Sequence, residues 1–151
     1  ETVAWVKSLG ADHVINHRDD YVAEMHMLGF DTVPYIAILH APEPHFEQAA
    51  ELIGAFGHIG AIVESVDPMP VGLIKNKAAS LDWEFMFAKA NYKVDMASQG
   101  DALALAARLA DKGSLRSTLT ETLTGMTAEN VLAAQEKVSA GAVNGKLAIV
   151  F

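Results

Sequence analysis

The sequence lacks cysteine and long apolar runs, and these two absences exclude several classes of protein. With 0 Cys among 151 residues, the chain has no disulfide bonds and no thiolate metal sites. No apolar run reaches the roughly 18 residues that a membrane-spanning helix needs, so we expect no membrane partner. An absence of cysteine is typical of a reducing compartment, and we therefore expect a cytoplasmic protein.

Basic residues are also scarce, and they are dispersed along the chain. There are 11 Lys and Arg against 19 Asp and Glu, which gives a formal net charge of -8. Because nucleic-acid phosphates are bound by clustered Lys and Arg, this balance argues against a nucleic-acid partner. Hydrophobic residues make up 51% of the chain, which indicates a folded globular protein.

A third absence is the glycine-rich turn G-x-G-x-x-G, which binds pyrophosphate between the first strand and first helix of a dinucleotide-binding sheet. The nearest sequence runs from Gly54 to Gly60. It ends a predicted helix and enters a predicted strand, which is the reverse of the required order. The sequence itself therefore contains no pyrophosphate-binding turn of this kind.

The six histidines do not form a metal-binding motif. His13 and His17 are four residues apart, but they span a strand end and a loop and so share no helix face. His40 and His45 lie in a proline-containing stretch with few carboxylates nearby. The pattern H-E-x-x-H is absent, as is the nucleophile motif G-x-S-x-G. We predict no metal site and identify no catalytic residue.

Short β-branched runs alternate with amphipathic helical stretches, the pattern of βα units and a mainly parallel sheet. We predict strands over 13–16, 35–39, 58–63 and 81–87, with 35–39 buried on both faces. Helices are predicted over 2–9, over about 20–29, and from Pro44 to the stop at Gly57. The pattern then predicts a helix over 98–112, a half-exposed antiparallel strand over 115–123, a helix capped by Thr127, and a last strand over 146–151.

Three segments carry a family resemblance: Asp82-Trp83-Glu84-Phe85-Met86-Phe87, the stretch 114–123, and the terminal stretch 144–151. In this order they resemble the C-terminal part of the zinc-type alcohol dehydrogenase-like, quinone-oxidoreductase-like branch of the medium-chain dehydrogenases/reductases. The resemblance covers essentially all 151 residues. It implies that residues 1–95 belong to a Rossmann-type, doubly wound nucleotide-binding domain whose first two strands lie upstream. Residues 96–151 would form a helix-strand-helix-strand segment that returns to the catalytic domain.

The resemblance also implies a chemistry, namely NADPH-dependent hydride transfer to a small-molecule quinone, enone or carbonyl substrate, in a usually zinc-free branch. The implied cofactor-binding residues are Leu39, His40, Val63, Phe85, Met86, Phe87 and Lys146. The loop after Leu39 would lie near the nicotinamide ribose, the 85–87 segment near the carboxamide, and Lys146 near the phosphates. A homodimer would form by edge pairing of the 81–87 strand.

Each of these residues also has a plainer interpretation. Phe85 and Phe87 alternate as in any packed strand, Lys146 fits a solvated strand start, and His40 fits a loop hydrogen-bond partner. If the two central strands are absent, we expect the isolated chain to bind cofactor weakly or not at all. One rival hypothesis is a non-catalytic α/β interaction module that recruits a partner through its sheet edge. Another is a different α/β enzyme family, with His40 and Glu64 acting as acid and base.

Overall fold

The computed structural model describes residues 2–16 and 18–151. Glu1, predicted in a helix, and His17, predicted in the loop after a strand, lie outside the described residues. The chain divides into two compact units, one of residues 13–94 and one of residues 1–12 together with 95–151. The helices are α1 (Thr2–Ser8), α2 (Tyr21–Met27), α3 (Phe46–Leu52), α4 (Ala88–Tyr92), α5 (Ala97–Asp111) and α6 (Ala128–Ser139), with a 3-10 helix over Val71–Lys77. The strands are β1 (Val33–Ile38), β2 (Ile53–Ala61), β3 (Ser80–Trp83), β4 (Leu119–Thr124) and β5 (Lys146–Val150).

The 13–94 unit contains a three-stranded parallel sheet in the order β1-β2-β3. Ala61 in β2 is level with Ile38 in β1 and with Trp83 in β3. The Glu84 N–H continues the ladder by donating to the Ala61 carbonyl over 2.9 Å. The carboxyl ends of all three strands therefore lie at one edge of the sheet. This arrangement confirms the predicted α/β class with a parallel sheet.

The core of this unit lies where α3 packs on one face of the sheet. Phe46, Ile53 and Ile59 are fully buried, and the helix contributes Ala49 and Ala50 to the same cluster. Burial of each large side chain contributes about 1.5–3 kcal/mol of hydrophobic free energy. Small alanines allow the helix backbone to approach the sheet closely. This packing holds α3 against the strands whose ends form the edge described above.

Lys77 joins the 3-10 helix to the carboxyl end of α3. Its ammonium group donates hydrogen bonds to the carbonyls of Ala50, Glu51 and Ile53, over 2.9, 2.6 and 2.8 Å. The last carbonyls of a helix have no partner within the helix, and they lie at the negative end of its dipole. A cation at this position therefore satisfies three acceptors at the junction of α3 and β2.

The prediction of a strand over 13–16 is wrong, because these residues have no regular strand structure. Among the described residues β1 is an edge strand, so no neighbouring strand pairs with this segment. Asn16 N–H instead donates to the Glu24 carboxylate over 3.1 Å, and the His13 ring contacts Phe30 edge-on. The burial of 35–39 on both faces is also wrong. Tyr35 is 74% exposed, since α3 covers only one face.

The predicted strand over 81–87 is only partly confirmed, because β3 ends at Trp83. Beyond it, the Ala88 N–H donates to the Phe85 carbonyl over 2.9 Å, and the Asn91 N–H donates to the Phe87 carbonyl over 2.8 Å. These bonds belong to a turn that leads into α4. Residues 85–87 therefore do not alternate along a strand as predicted.

In the other unit, β4 and β5 form a two-stranded sheet that is parallel, so the predicted antiparallel strand is wrong. A parallel pair needs a crossover connection, and α6 provides it. The Thr127 hydroxyl accepts a hydrogen bond from Asn130 N–H over 3.2 Å, which confirms the predicted helix cap. α5 also agrees with the helix predicted over 98–112. No helix in the described part of the chain is long and apolar enough to cross a membrane.

His58, Ser80 and Asp82 form a polar cluster across β2 and β3. His58 Nδ1 lies 2.8 Å from Ser80 Oγ and 3.2 Å from Asp82 Oδ2, while Ser80 Oγ donates to Asp82 Oδ2 over 2.5 Å. The Tyr35 ring stacks on the His58 imidazole, and the two ring centroids are 5.7 Å apart. Because the serine proton is held by the carboxylate and not by the histidine, this set does not activate a serine nucleophile. The three side chains instead connect β2 to β3 through side-chain hydrogen bonds.

The pKa of Asp82 lies below its ordinary value of 3.8, first because the Ser80 hydroxyl donates to its carboxylate and then because His58 does so. A carboxyl with a lowered pKa in the folded state stabilises the fold above its unfolded pKa and loses this contribution as pH falls through the folded value. We expect Asp82→Asn to reduce the loss of stability between about pH 5 and pH 3. Urea unfolding across this range tests the prediction, with Asp101→Asn on α5 as control. An equal pH dependence in wild type and Asp82→Asn would contradict it.

Gly145 is required where the chain enters β5. Its φ is +100°, and an added Cβ would lie 2.3 Å from the Thr118 carbonyl oxygen. We expect Gly145→Ala to destabilise the protein by more than about 2 kcal/mol, because both the backbone conformation and the β4–β5 contact must change. Gly100→Ala is the matched control, since its Cβ would meet no atom within 4 Å inside α5. We expect this control to be stabilising by ~0.5–1 kcal/mol, as measured by urea unfolding.

Candidate functional site

The carboxyl edge of the three-stranded sheet is the place where an open α/β sheet binds ligands. Leu39 and His40 follow β1, Ile62 and Val63 follow β2, and Glu84 follows β3. The level register of the three strands brings these segments side by side. We call this part of the molecule the carboxyl edge.

A groove of about 380 Å³ runs along β1 at this edge. It is lined by Ile15, Tyr21, Ile36, Ala37, Ile38, Leu39, His40, His45 and Ala49. The Tyr21 hydroxyl donates to the His45 carbonyl over 2.6 Å, and burial raises the pKa of this tyrosine. The groove is therefore a mainly apolar surface with a tyrosine that stays protonated at neutral pH. Two of the predicted cofactor-binding residues, Leu39 and His40, lie in its wall.

Four further predicted residues lie at the carboxyl edge outside the groove. Val63 follows β2, and Phe85, Met86 and Phe87 follow β3, all at least partly exposed. The Phe85 and Phe87 rings pack edge to face with centroids 5.5 Å apart. Six of the seven predicted residues thus lie in the segments that follow the three strands of one parallel sheet. Their contact with a cofactor stays a prediction.

Lys146, the seventh predicted residue, belongs to the other unit. It is the first residue of β5, and its backbone N–H donates to the Thr118 carbonyl over 2.8 Å. Its side chain is exposed. The backbone of Lys146 thus anchors the β5 strand, and phosphate binding by its ammonium group stays a prediction.

Glu43 connects two loops of the carboxyl edge, and it was not identified from the sequence. Its carboxylate accepts a hydrogen bond from Val66 N–H over 2.5 Å, so that the loop after β1 is tied to the loop after β2. The pKa of Glu43 is lowered, first by its own backbone N–H and next by that of Val66. Residues 43 and 66 are far apart in sequence, and no spacing rule pairs them.

The carboxyl edge is acidic. Segments 39–46, 62–70 and 84–88 contain the carboxylates Glu43, Glu64, Asp67 and Glu84, but neither Lys nor Arg. Such a surface repels phosphate groups and favours a neutral or positively charged ligand group. The edge therefore favours an uncharged or cationic ligand group over a phosphate group.

No group of three or more His, Cys, Asp or Glu side chains that could hold a metal ion occurs in residues 2–16 and 18–151. Zinc sites in proteins use Cys, His and carboxylate ligands, usually three or four together. The residues described here do not fit a zinc centre, and no chemical step of this chain is assigned to zinc.

Comparison with known proteins places this geometry in a family. Residues 9–149 match the family of zinc-binding dehydrogenases. A zinc-type alcohol dehydrogenase-like protein of Staphylococcus aureus (strain MSSA476) is 29% identical over 150 residues, which are 99% of this chain and 45% of that protein. The chain thus spans about half the length of the curated relatives that it matches.

Solved structures agree with the sequence comparison. A protein from Rhizobium etli CFN 42, described as a zinc-dependent alcohol dehydrogenase, superposes with a TM-score of 0.86 at 34% identity. The match covers 99% of this chain and 44% of that one. An NAD-dependent alcohol dehydrogenase shares the fold with a TM-score of 0.73 at 18% identity, over 99% of this chain and 41% of its own length.

The hypothesis of a different α/β enzyme family, with His40 and Glu64 as acid and base, is therefore wrong. The family match extends over nearly the whole chain, including the loops after β1 and β2 that contain these two residues. The parallel sheet and its similarity to solved dehydrogenases point in the same direction. The chain belongs to the zinc-binding dehydrogenase family, and it corresponds to the C-terminal part of its relatives.

Proposed function

We propose that this chain supplies the second half of the nucleotide-binding sheet, and the segment that returns to the catalytic domain, in an NADPH-dependent oxidoreductase. The reaction would be hydride transfer between the cofactor and a quinone, enone or carbonyl/alcohol substrate. The observation that carries the proposal is the carboxyl edge, where a groove lined by Leu39 and His40 runs along β1, one strand of the three-stranded parallel sheet. Family membership supports the dehydrogenase chemistry.

The charge of the carboxyl edge supports binding of the nicotinamide end in particular. The oxidised nicotinamide ring is positively charged, and it would be attracted by the carboxylates Glu64 and Glu84. The apolar side chains of Leu39 and Val63 would exclude water from the ring. When bound, the cofactor itself supplies the hydride chemistry, so the protein has mainly to bind and orient it.

The choice of NADPH and the domain assignment rest on the family resemblance. An NAD-dependent alcohol dehydrogenase shares the fold, which supports a nicotinamide cofactor without deciding between its two forms. We propose the 1–95 segment as the nucleotide-binding part and 96–151 as the catalytic-domain segment, in a cytoplasmic protein. The pyrophosphate would be bound by a glycine-rich turn upstream, because this chain has none.

The proposal predicts that NADPH binding depends on upstream residues. In a fluorescence titration, we expect the isolated chain to show little or no binding and a protein extended upstream through two further strands to bind. The reason is that the glycine-rich turn and the strand beside β1 would both come from the extension. If neither protein binds NADPH or NADH, the oxidoreductase proposal is wrong, and the interaction module becomes the better hypothesis.

A substitution in the groove tests the cofactor position within the extended protein. We expect Leu39→Asp to weaken NADPH binding by about tenfold, because an apolar contact of roughly 1.4 kcal/mol is lost. Leu73→Asp is the matched control, since Leu73 has a similar exposure but lies on the 3-10 helix. Equal affinities of the two variants would contradict the assignment of Leu39 to the cofactor site.

We also propose a homodimer formed by edge pairing of β3. The strand lies at the edge of the described sheet, and Trp83 at its end is 53% exposed. The paired segment is shorter than the sequence predicts, since residues 84–87 turn away into α4. Four residues of backbone pairing and the exposed aromatic side chains would form the interface.

A charged residue introduced at the edge of β3 tests the proposed dimer. We expect Trp83→Lys to convert the dimer to a monomer, because an edge lysine opposes pairing with a second copy. Light scattering after size-exclusion chromatography measures the mass, and Tyr92→Lys on the exposed face of α4 is the control. A monomeric wild type, or a dimer that persists in Trp83→Lys, would contradict the proposed interface.

A further inference from the structure

The loops after β1 and β2 are joined by one carboxylate, that of Glu43. The loop after β1 is anchored at its base by Pro42 and Phe46, both fully buried, and by hydrogen bonds from His45 N–H and Phe46 N–H to the Pro42 carbonyl. Ala41 has a positive φ of 40°, which turns the chain sharply at this point. Glu43 therefore projects from a fixed turn.

The loop after β2 is exposed at Val66, whereas Met69 further along packs against the core. Val66 is 93% exposed, and within the loop Ser65 Oγ donates a hydrogen bond to the Asp67 carbonyl over 2.5 Å. The backbone N–H of Val66 donates directly to the Glu43 carboxylate. The Asp67 N–H also lowers the pKa of Glu43. The tether between the two loops therefore consists of a backbone N–H of one loop and a side-chain carboxylate of the other.

We infer that Glu43 is a positioning residue, whose carboxylate fixes the loop after β2 relative to the groove and so shapes the surface for the nicotinamide end of the cofactor. The inference rests on the proposed function. Val63, a predicted cofactor contact, lies three residues before Val66 on the tethered loop. Leu39 and His40 lie on the same loop as Glu43. Loss of the Glu43–Val66 hydrogen bond would therefore change the distance between Val63 on one loop and Leu39 and His40 on the other.

The effect should be confined to the nicotinamide end, because the pyrophosphate and adenosine are bound elsewhere. We expect Glu43→Ala, in the extended protein, to weaken NADPH binding by about tenfold, since misplaced contacts lose orientation as well as affinity. Binding of 2′-phospho-ADP-ribose, which lacks the nicotinamide, should change by less than about twofold. A general loss of stability would weaken both ligands equally.

Two further variants complete the experiment. Glu43→Gln retains an acceptor oxygen for Val66 N–H, so we expect it to recover most of the NADPH affinity. Glu47→Ala removes an exposed carboxylate from α3 and serves as the matched control, with wild-type affinity expected. Hydrogen exchange of segment 62–68 reports directly on the tether. It should accelerate in Glu43→Ala but not in Glu47→Ala.

The outcomes separate the inference from the proposed function. Suppose that the wild-type protein binds NADPH, and that Glu43→Ala binds NADPH and 2′-phospho-ADP-ribose with wild-type affinities. The positioning role is then wrong, even if hydrogen exchange of segment 62–68 is faster in the variant. Equal weakening of NADPH and 2′-phospho-ADP-ribose would also overturn it, because that result indicates a structural role. If wild type binds neither ligand, the proposed function fails and the inference fails with it.

Discussion

The packing of α3 on the parallel sheet is the contact on which the rest of the 13–94 unit depends. Phe46 and the two isoleucines Ile53 and Ile59 fill the space between helix and strands, and Lys77 closes the junction by binding three backbone carbonyls. This core holds β1 and β2 in level register, and β3 follows on the other side of β2. Because parallel strands in level register end together, the loops that follow them must share one edge. The candidate site is a consequence of that register.

The chemistry of the carboxyl edge comes from what these loops carry. Apolar side chains line a groove beside β1, while four carboxylates and no Lys or Arg occupy the surrounding segments. An edge of this kind suits an uncharged or cationic ring better than a phosphate. The absence of the glycine-rich turn agrees with the proposed function, in which this chain would contribute one end of a dinucleotide site. Glu43 adds a tether between two of the loops, and its pKa is lowered first by its own backbone N–H and then by that of Val66.

The match to the zinc-binding dehydrogenases explains why the sheet has an exposed face and an open edge. The chain spans 45% of its curated relative, and structural similarity covers 44% of the Rhizobium etli protein. In the described residues β1 is an edge strand, and Tyr35 on its outer face is largely exposed. A doubly wound sheet normally covers both faces with helices. The exposed face therefore fits a sheet that is completed by other parts of the same family fold.

Local features of this protein were determined by the sequence alone. The helix over 97–111 and the Thr127 cap depend on neighbouring residues, and both were predicted correctly. The predicted alternation of strands and helices was correct only in part, since the helix predicted from Pro44 to Gly57 ends at Leu52 and β2 begins at Ile53. The family was also readable from the 82–87 motif, although the motif forms a strand end and a turn. Tertiary structure decided the rest. Whether 13–16 becomes a strand depends on a pairing partner, the parallel orientation of β4 and β5 depends on the α6 crossover, and the Glu43–Val66 contact joins residues 23 apart. Periodicity reports which face of an element is apolar, but it does not specify the partner that the element meets.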